Sequence, residues 1–474
     1  MIQVFEASTL YQVASLSAMI QAGTFGDARR ILVLVNSARQ PELTGRIQDA
    51  EAFPQLAEVF ERVVDFGADL WPRRPHQFDP RAAELSLWQT LLRERWGLGQ
   101  EPVELVLESL QVNPARGLAR VFASSPLSVH ADGLMSYGPT RTTLPPNILQ
   151  RVVSVAYLDL VPGLRPLLLT EASPTLLPVP VEALAKVVSR WAEAATPSDA
   201  VRSLLAAGTG PIALVLGQYL ADLGIVTAEE EAALAAQMLD AAAQAGASVV
   251  AYKAHPSASV TSQHTMASAA KAAGLELVLI PDTVAAEVVA HWLQPLAVVS
   301  IFSTALATIS RTSGTRAIAV GTKPLLPALK PFENSNRVPL VLVDALLRPG
   351  ADPSLAADPE RLQGLVGALA YAMRSKLLPQ LREEAVRFLT AEPALRDRYF
   401  KQRRLRVLEL PRGAGAGRPG LARRTLNSVV KNPEYADAAA RSLAFLRTSQ
   451  GRRNAPRLAA RSVGSRLVAW SKKG

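Results

Sequence analysis

Short β-rich runs alternate with helical stretches along this chain, and the alternation occurs twice. In the first half, Ile2–Phe5, Arg30–Val35, Val63–Asp65, Leu105–Leu107, Pro126–His130 and Ser154–Leu158 read as strands, with helices through Ala14–Gln21 and near Gln55–Glu61. Buried strands this short, separated by helices, build parallel sheets from βαβ units. Pro174, Pro178 and Pro180, a helix from Val181 to Ala194 and the break at Thr196–Ser198 punctuate the end of that set. A second set follows: Pro211–Gly217, Ala247–Ala254, Leu275–Ile280, Ala297–Ile301, Ala317–Val320 and Val338–Val343, with the alanine-rich helix Ala228–Ala245 among its connections. A helix is expected over Pro353–Thr390, followed by the basic stretch Arg396–Arg406. The expected fold is α/β, with two doubly wound, Rossmann-like lobes facing a cleft. The expected divisions are residues 1–205, 206–410 and a tail, 411–474.

Composition separates the tail from the lobes. The 474 residues carry 51 Lys and Arg against 41 Asp and Glu, a formal charge of +10. From Pro411 to Gly474 there are 14 basic residues and 2 acidic ones, so residues 1–410 hold 37 against 39 and are nearly neutral. A body without excess positive charge, and with 5% aromatic residues, is a poor platform for nucleic acid, which is excluded as an expected partner. The absence of cysteine rules out disulfides and thiolate chemistry. No basic leader with an apolar core opens the chain, and the longest uncharged stretch, Val288–Ser310, carries too many polar residues for a membrane span. A cytoplasmic protein is expected. The tail can hold it at the inner face of the cell membrane, since each Lys or Arg near an anionic leaflet contributes about 1 kcal/mol; a solvated extension is the alternative.

Three places put chemically able side chains directly after a strand, where open α/β sheets build their ligand crevices. The first is His130-Ala131-Asp132-Gly133, where Asp132 can take a proton from a hydroxyl; an ordinary Asp-Gly turn also accounts for the pair. The second is Tyr252-Lys253-Ala254-His255-Pro256, in which alternation puts Lys253 and His255 on one side, suited to a leaving phosphate. A surface Lys beside a structural His is the plain alternative. The third is Ser300-Ile301-Phe302-Ser303-Thr304, a strand turning into a helix start that can hold an anion or be no more than an N-cap. No Asp-x-Asp pair or His/carboxylate cluster suggests a divalent metal, so the cofactor expectation is none. His76, His264 and His291 read as structural, and His130 as a residue on the same side as Asp132.

The order Asp-Gly, Lys-Ala-His-Pro, Ser-Thr resembles the three short motifs of bacterial GT-B sialyltransferases: an acidic-acidic-Gly motif, a His-Pro motif and a Ser-Ser/Thr motif. The surroundings Ala131–Gly138 and Leu214–Gln218 are most similar to the capsule alpha-2,8-polysialyltransferase family, over roughly residues 1–400. The resemblance implies inverting, metal-independent transfer of sialic acid from CMP-sialic acid to a glycan hydroxyl. It implies Asp132 as general base and His255 as general acid, with Lys253 and Pro256 lining the nucleotide and Ser303 and Thr304 holding its phosphate. Glu287 is the implied ribose ligand and Gly217 a backbone contact to the donor. Two departures stand out: Ala131 replaces the first acidic residue of its motif, and Thr304 the second serine. Two further readings stay open: another GT-B transferase with a cytidine-phosphate donor, such as a CMP-Kdo-like sugar or CDP-glycerol, and a non-catalytic homologue that binds glycan or membrane.

Overall fold

The computed structural model describes residues 1–36, 45–206, 210–255, 258–281 and 284–412. Seven strands form the first sheet: β1 (Ile2–Ala7), β2 (Arg29–Leu34), β3 (Arg62–Asp65), β4 (Val103–Leu107), β5 (Leu127–Ala131), β6 (Val152–Leu158) and β7 (Thr175–Val179). They lie in the order β3-β2-β1-β4-β5-β6-β7, every pair parallel. The second sheet holds β8 (Ile212–Leu216), β9 (Val249–Lys253), β10 (Glu276–Ile280), β11 (Ala297–Ser300) and β12 (Arg316–Ala319), in the order β10-β9-β8-β11-β12, also parallel throughout. In both sheets the order reverses beside the first strand. The crevices therefore open at the carboxyl ends of β1 and β4 in one lobe and of β8 and β11 in the other.

Burial explains which runs became strands. Every residue of central β1 is buried, as a parallel strand covered on both faces requires. The Val181–Ala194 helix turns Val181, Leu184, Val187, Val188 and Trp191 inward and joins an apolar core shared by both lobes. A second core on the other face of the first sheet is built on Phe66, Trp96 and Phe122.

Four expectations need correcting. The proline-rich stretch Pro174–Pro180 contains β7, a strand that tolerates Pro178 because it lies at the sheet edge, where a missing N–H costs no ladder bond. Val338–Val343 is not a strand but the middle of a helix, Arg337–Leu347, buried along most of its length. The helix expected over Pro353–Thr390 is three, Pro353–Ala356, Pro359–Arg374 and Arg382–Ala391. Asp352 and Asp358 cap the first two, and the third follows a 3-10 turn at Pro379–Leu381. The helical stretch near Gln55–Glu61 is a single turn, Phe53–Leu56.

The last helices return to the first lobe. The Arg165 amide donates to Gln363 Oε1 (2.8 Å), and the Arg374 guanidinium donates to the Thr140 carbonyl (3.1 Å). Of the basic tail, residues 413–474 fall outside the described residues.

Candidate active site

A cavity of about 430 Å³ lies between the carboxyl ends of the two sheets, and six residues singled out in the sequence line it: Gly217, Lys253, His255, Glu287, Ser303 and Thr304. Each arrives there for a local reason. Gly217 follows β8, and its N–H donates to the Lys253 carbonyl (2.8 Å), continuing the ladder one step past the strand. A methyl group in place of its hydrogen would stand 2.3 Å from the Tyr252 hydroxyl, so only glycine fits this close approach. Because its N–H is used within the sheet, any contact of Gly217 with a ligand must come from its Cα or carbonyl.

Lys253 is the last residue of β9 and is buried, while His255, two residues on, is half-buried with its ring 4.3 Å from that of Tyr219. Ser303 is the N-cap of the Thr304–Ser313 helix, its hydroxyl accepting from the Ala305 amide (3.2 Å). Capping therefore occupies part of that hydroxyl's capacity, and the helix start still faces the cavity. Glu287 lies in the first turn of the Ala286–Leu293 helix and accepts a hydrogen bond from Thr308. Burial raises its carboxyl above the usual range, against the Thr308 bond and the positive charge of Lys253. Pro256 is outside the described residues.

The opposite wall comes from the first lobe. Thr9, Leu10 and Tyr11 begin the Leu10–Gln21 helix, and Trp191 comes from the helix Val181–Ala194. None of the four was singled out in the sequence; the one available signal was the position of Thr9–Tyr11 directly after β1, at the point where strand order reverses. Burial first, then the charges of Glu287 and Asp132, push the Tyr11 phenol well above its ordinary range.

Asp132 follows β5 and is half-buried at the edge of this space rather than among the lining residues. Its neighbour Gly133 spans the cleft: a methyl group there would stand 3.3 Å from Thr304 Oγ1. Burial and the nearby Glu108 charge push the Asp132 carboxyl up to about 6, with a smaller push upward from Glu287. A carboxylate poised there can accept a proton near neutral pH. His130 is turned away from that task. Its Nε2 donates to the Glu6 carbonyl (2.8 Å), and burial lowers its pKa, so the imidazole is neutral.

Among the described residues, no three His, Asp or Glu side chains are grouped to hold a metal ion, and no helix is long and apolar enough to cross a membrane.

Solved structures similar to the chain include a sialyltransferase GT-B domain from Photobacterium damselae (TM-score 0.38, 11% identity, 73% of this chain and 96% of that one). MurG from Acinetobacter baumannii (0.37, 12%, 81% and 94%) and a putative UDP-N-acetylglucosamine 2-epimerase from Listeria monocytogenes (0.39, 9%, 86% and 94%) are similar to a like degree. No curated protein matches the chain. The model of the alpha-2,8-polysialyltransferase family (POLYST) matches residues 3–322, a span that runs from β1 through β12 and takes in all three motifs. With both sheets and the cavity between them inside that match, the chain belongs to the alpha-2,8-polysialyltransferase family and is a sialyltransferase-like glycosyltransferase.

Proposed function

We propose that the protein transfers a sialic acid, or a related nonulosonic acid, from a CMP-activated donor to a glycan hydroxyl, with inversion and without a metal ion. The observation that carries this reading is the two-sided site: Lys253, His255 and the Ser303–Thr304 helix start line one wall, and Gly133, the neighbour of Asp132, approaches Thr304 from the other lobe. An inverting displacement needs a base on the acceptor and leaving-group stabilisation on the opposite side. Asp132 takes the acceptor proton as the oxygen attacks the anomeric carbon, and the bond from that carbon to the CMP phosphate oxygen breaks. The departing negative charge meets the Lys253 ammonium and the N–H groups at the start of the Thr304–Ser313 helix, and His255 donates to the phosphate. Ser303 and Thr304 hydrogen-bond that phosphate, Glu287 holds the ribose hydroxyls and Gly217 lets the nucleotide approach the backbone. Pro256 belongs to the nucleotide side through its place in the His-Pro motif.

The protein works in the cytoplasm, at the inner face of the cell membrane, with its basic tail against anionic lipid. The deciding experiment is CMP release from CMP-sialic acid with a sialylated glycan acceptor, with and without EDTA. Release that is acceptor-dependent and EDTA-insensitive is the expected result. No release together with no cytidine-nucleotide binding would overturn the transferase reading; release that EDTA abolishes would overturn metal independence alone.

A further inference from the structure

A second pocket, of about 290 Å³, shares no residue with the cavity between the sheets. It forms where the loop from β6 to β7, residues 159–174, meets the helices Pro359–Arg374 and Arg382–Ala391. That loop is fixed to the segment that follows Asp132-Gly133. The Val161 amide donates to the Tyr137 hydroxyl (3.2 Å), the Leu168 amide to the Ser136 carbonyl (3.1 Å) and the Leu169 amide to Thr140 Oγ1 (3.0 Å). Within the loop, Leu169 and Ser173 flank the 3-10 turn Thr170–Ala172 with φ of 60° and 50°, a left-handed backbone that non-glycine residues rarely adopt and that gathers at ligand sites. Thr170 and Ser173 both line the pocket.

Gly367 lines it from the middle of the Pro359–Arg374 helix, where glycine weakens a helix relative to alanine. Gly364, one turn earlier, has a packing reason, since a methyl group there would stand 2.7 Å from the Phe388 ring. Gly367 has none: its nearest neighbour would be the Glu384 carboxyl at 3.9 Å, an ordinary contact. What the missing side chain leaves is room, bordered by a Glu384 carboxyl that has no hydrogen bond or ion pair among the described residues. The Thr170 hydroxyl donates to the Leu167 carbonyl (2.9 Å), so its lone pairs are left to accept. The Arg165 guanidinium is the one cation on the pocket wall among the described residues, and it lies 3.9 Å from Glu360. Glu171, beside Thr170, adds a second carboxyl whose oxygens are buried without a partner. Acceptors therefore outnumber donors, which suits a ligand rich in hydroxyl groups and opposes one with a carboxylate of its own. Pro166, Leu176 and Leu381 give apolar walls for the C–H face of a ring, and the volume, at the small end of the ~300–1,000 Å³ usual for ligand pockets, suits a single ring.

We propose that this pocket is a second carbohydrate site, which takes one uncharged pyranose rather than a sialic acid. That the pyranose belongs to the acceptor glycan rests on the transferase reading, and is supported by the hydrogen bonds that join the pocket loop to residues 136–140, just after Asp132.

The probe is lactose, titrated against the full chain by ligand-detected NMR, with α2,8-linked disialic acid as the charged comparison. Gly367→Leu fills the pocket and Glu384→Ala removes its free acceptor; each is expected to weaken lactose about tenfold and to leave disialic acid unchanged. In CMP release, both variants are expected to raise KM for disialyl-lactose by a similar factor at unchanged kcat, and not to raise KM for disialic acid. If Gly367→Leu does not fold, Glu384→Ala decides. Lactose that does not bind, or that binds the variants as it binds wild type, overturns the site. Disialic acid weakened together with lactose overturns the preference for an uncharged ring. Weakened lactose with an unchanged KM for disialyl-lactose overturns the acceptor assignment. Wild-type chain that binds lactose in the pocket but releases no CMP overturns the transferase reading and leaves the sugar site standing.

Discussion

At the scale of single residues, Asp132 carries a conflict between stability and chemistry. Its carboxyl is pushed up to about 6 in the folded chain from an ordinary value near 4, so the fold binds this proton more tightly than the unfolded chain does. The sign follows: the contribution of Asp132 favours folding below about pH 4 and is lost as pH rises through 6, where the group becomes the carboxylate that a base must be. Asp132→Asn is therefore expected to raise the melting temperature at pH 8 by more than at pH 5, while cutting turnover by about 10²-fold or more. His255→Ala is expected to cost a similar factor in turnover, without that pH-dependent gain in stability. Either variant turning over within about a factor of two of wild type would show that its role is wrongly assigned. The residues that surround Asp132 were far less legible than Asp132 itself. Asp132, Lys253, His255 and Ser303 each sit at a strand end, a position that a short run of apolar residues announces. Ser8 and Gln12 lie one helical turn apart, but Glu108 reaches Ser8 only through the sheet, across about a hundred residues of chain, and nothing local in the sequence announces it.

At the scale of elements, eleven of the twelve strands among the described residues were legible because buried parallel strands concentrate apolar residues over short spans. The misreadings have physical causes. Six apolar residues at Val338–Val343 fit a buried strand or a buried helix equally well, and periodicity cannot separate the two. Tertiary contacts decide for the helix, with Pro339 tolerated in its first turn. Asp344, fully buried, accepts from the Arg398 guanidinium (2.6 and 2.7 Å), from the Tyr399 hydroxyl (2.7 Å) and from Thr322, tying Arg337–Leu347 to the helix Pro393–Tyr399. Burial alone would raise its carboxyl, but these hydrogen bonds outweigh it and hold the group below the usual range. A depressed carboxyl stabilises the fold above the unfolded value and loses that contribution as pH falls through the folded one. Asp344→Asn is expected to lose about 3 kcal/mol in urea unfolding at pH 7, with the gap to wild type narrowing below about pH 4. An unchanged urea midpoint at pH 7 would show that the cluster does not hold these helices together.

At the scale of the whole molecule, charge and catalysis are carried by different parts of the chain. Among the described residues, those that line the cavity all fall between Thr9 and Ala305, and the last described helices brace the first lobe through Gln363 and Arg374. The residues from Pro411 onward hold the whole surplus of positive charge, 14 basic side chains against 2 acidic ones. On the proposed reading, that surplus serves to hold the enzyme at a membrane rather than to set its rate of turnover. At about 1 kcal/mol for each Lys or Arg near an anionic leaflet, even half of them engaged gives firm binding, and salt weakens it because the Debye length shortens to about 3 Å at 1 M. The full chain is expected to float with vesicles containing phosphatidylserine and not with neutral vesicles, and to be released by high salt. A chain ending at Arg412 is expected to remain unbound to both and to release CMP in solution at the rate of the full chain. Flotation of the shortened chain with anionic vesicles would move the lipid contact onto the catalytic lobes, and a fall in its solution rate would mean that the tail takes part in the reaction.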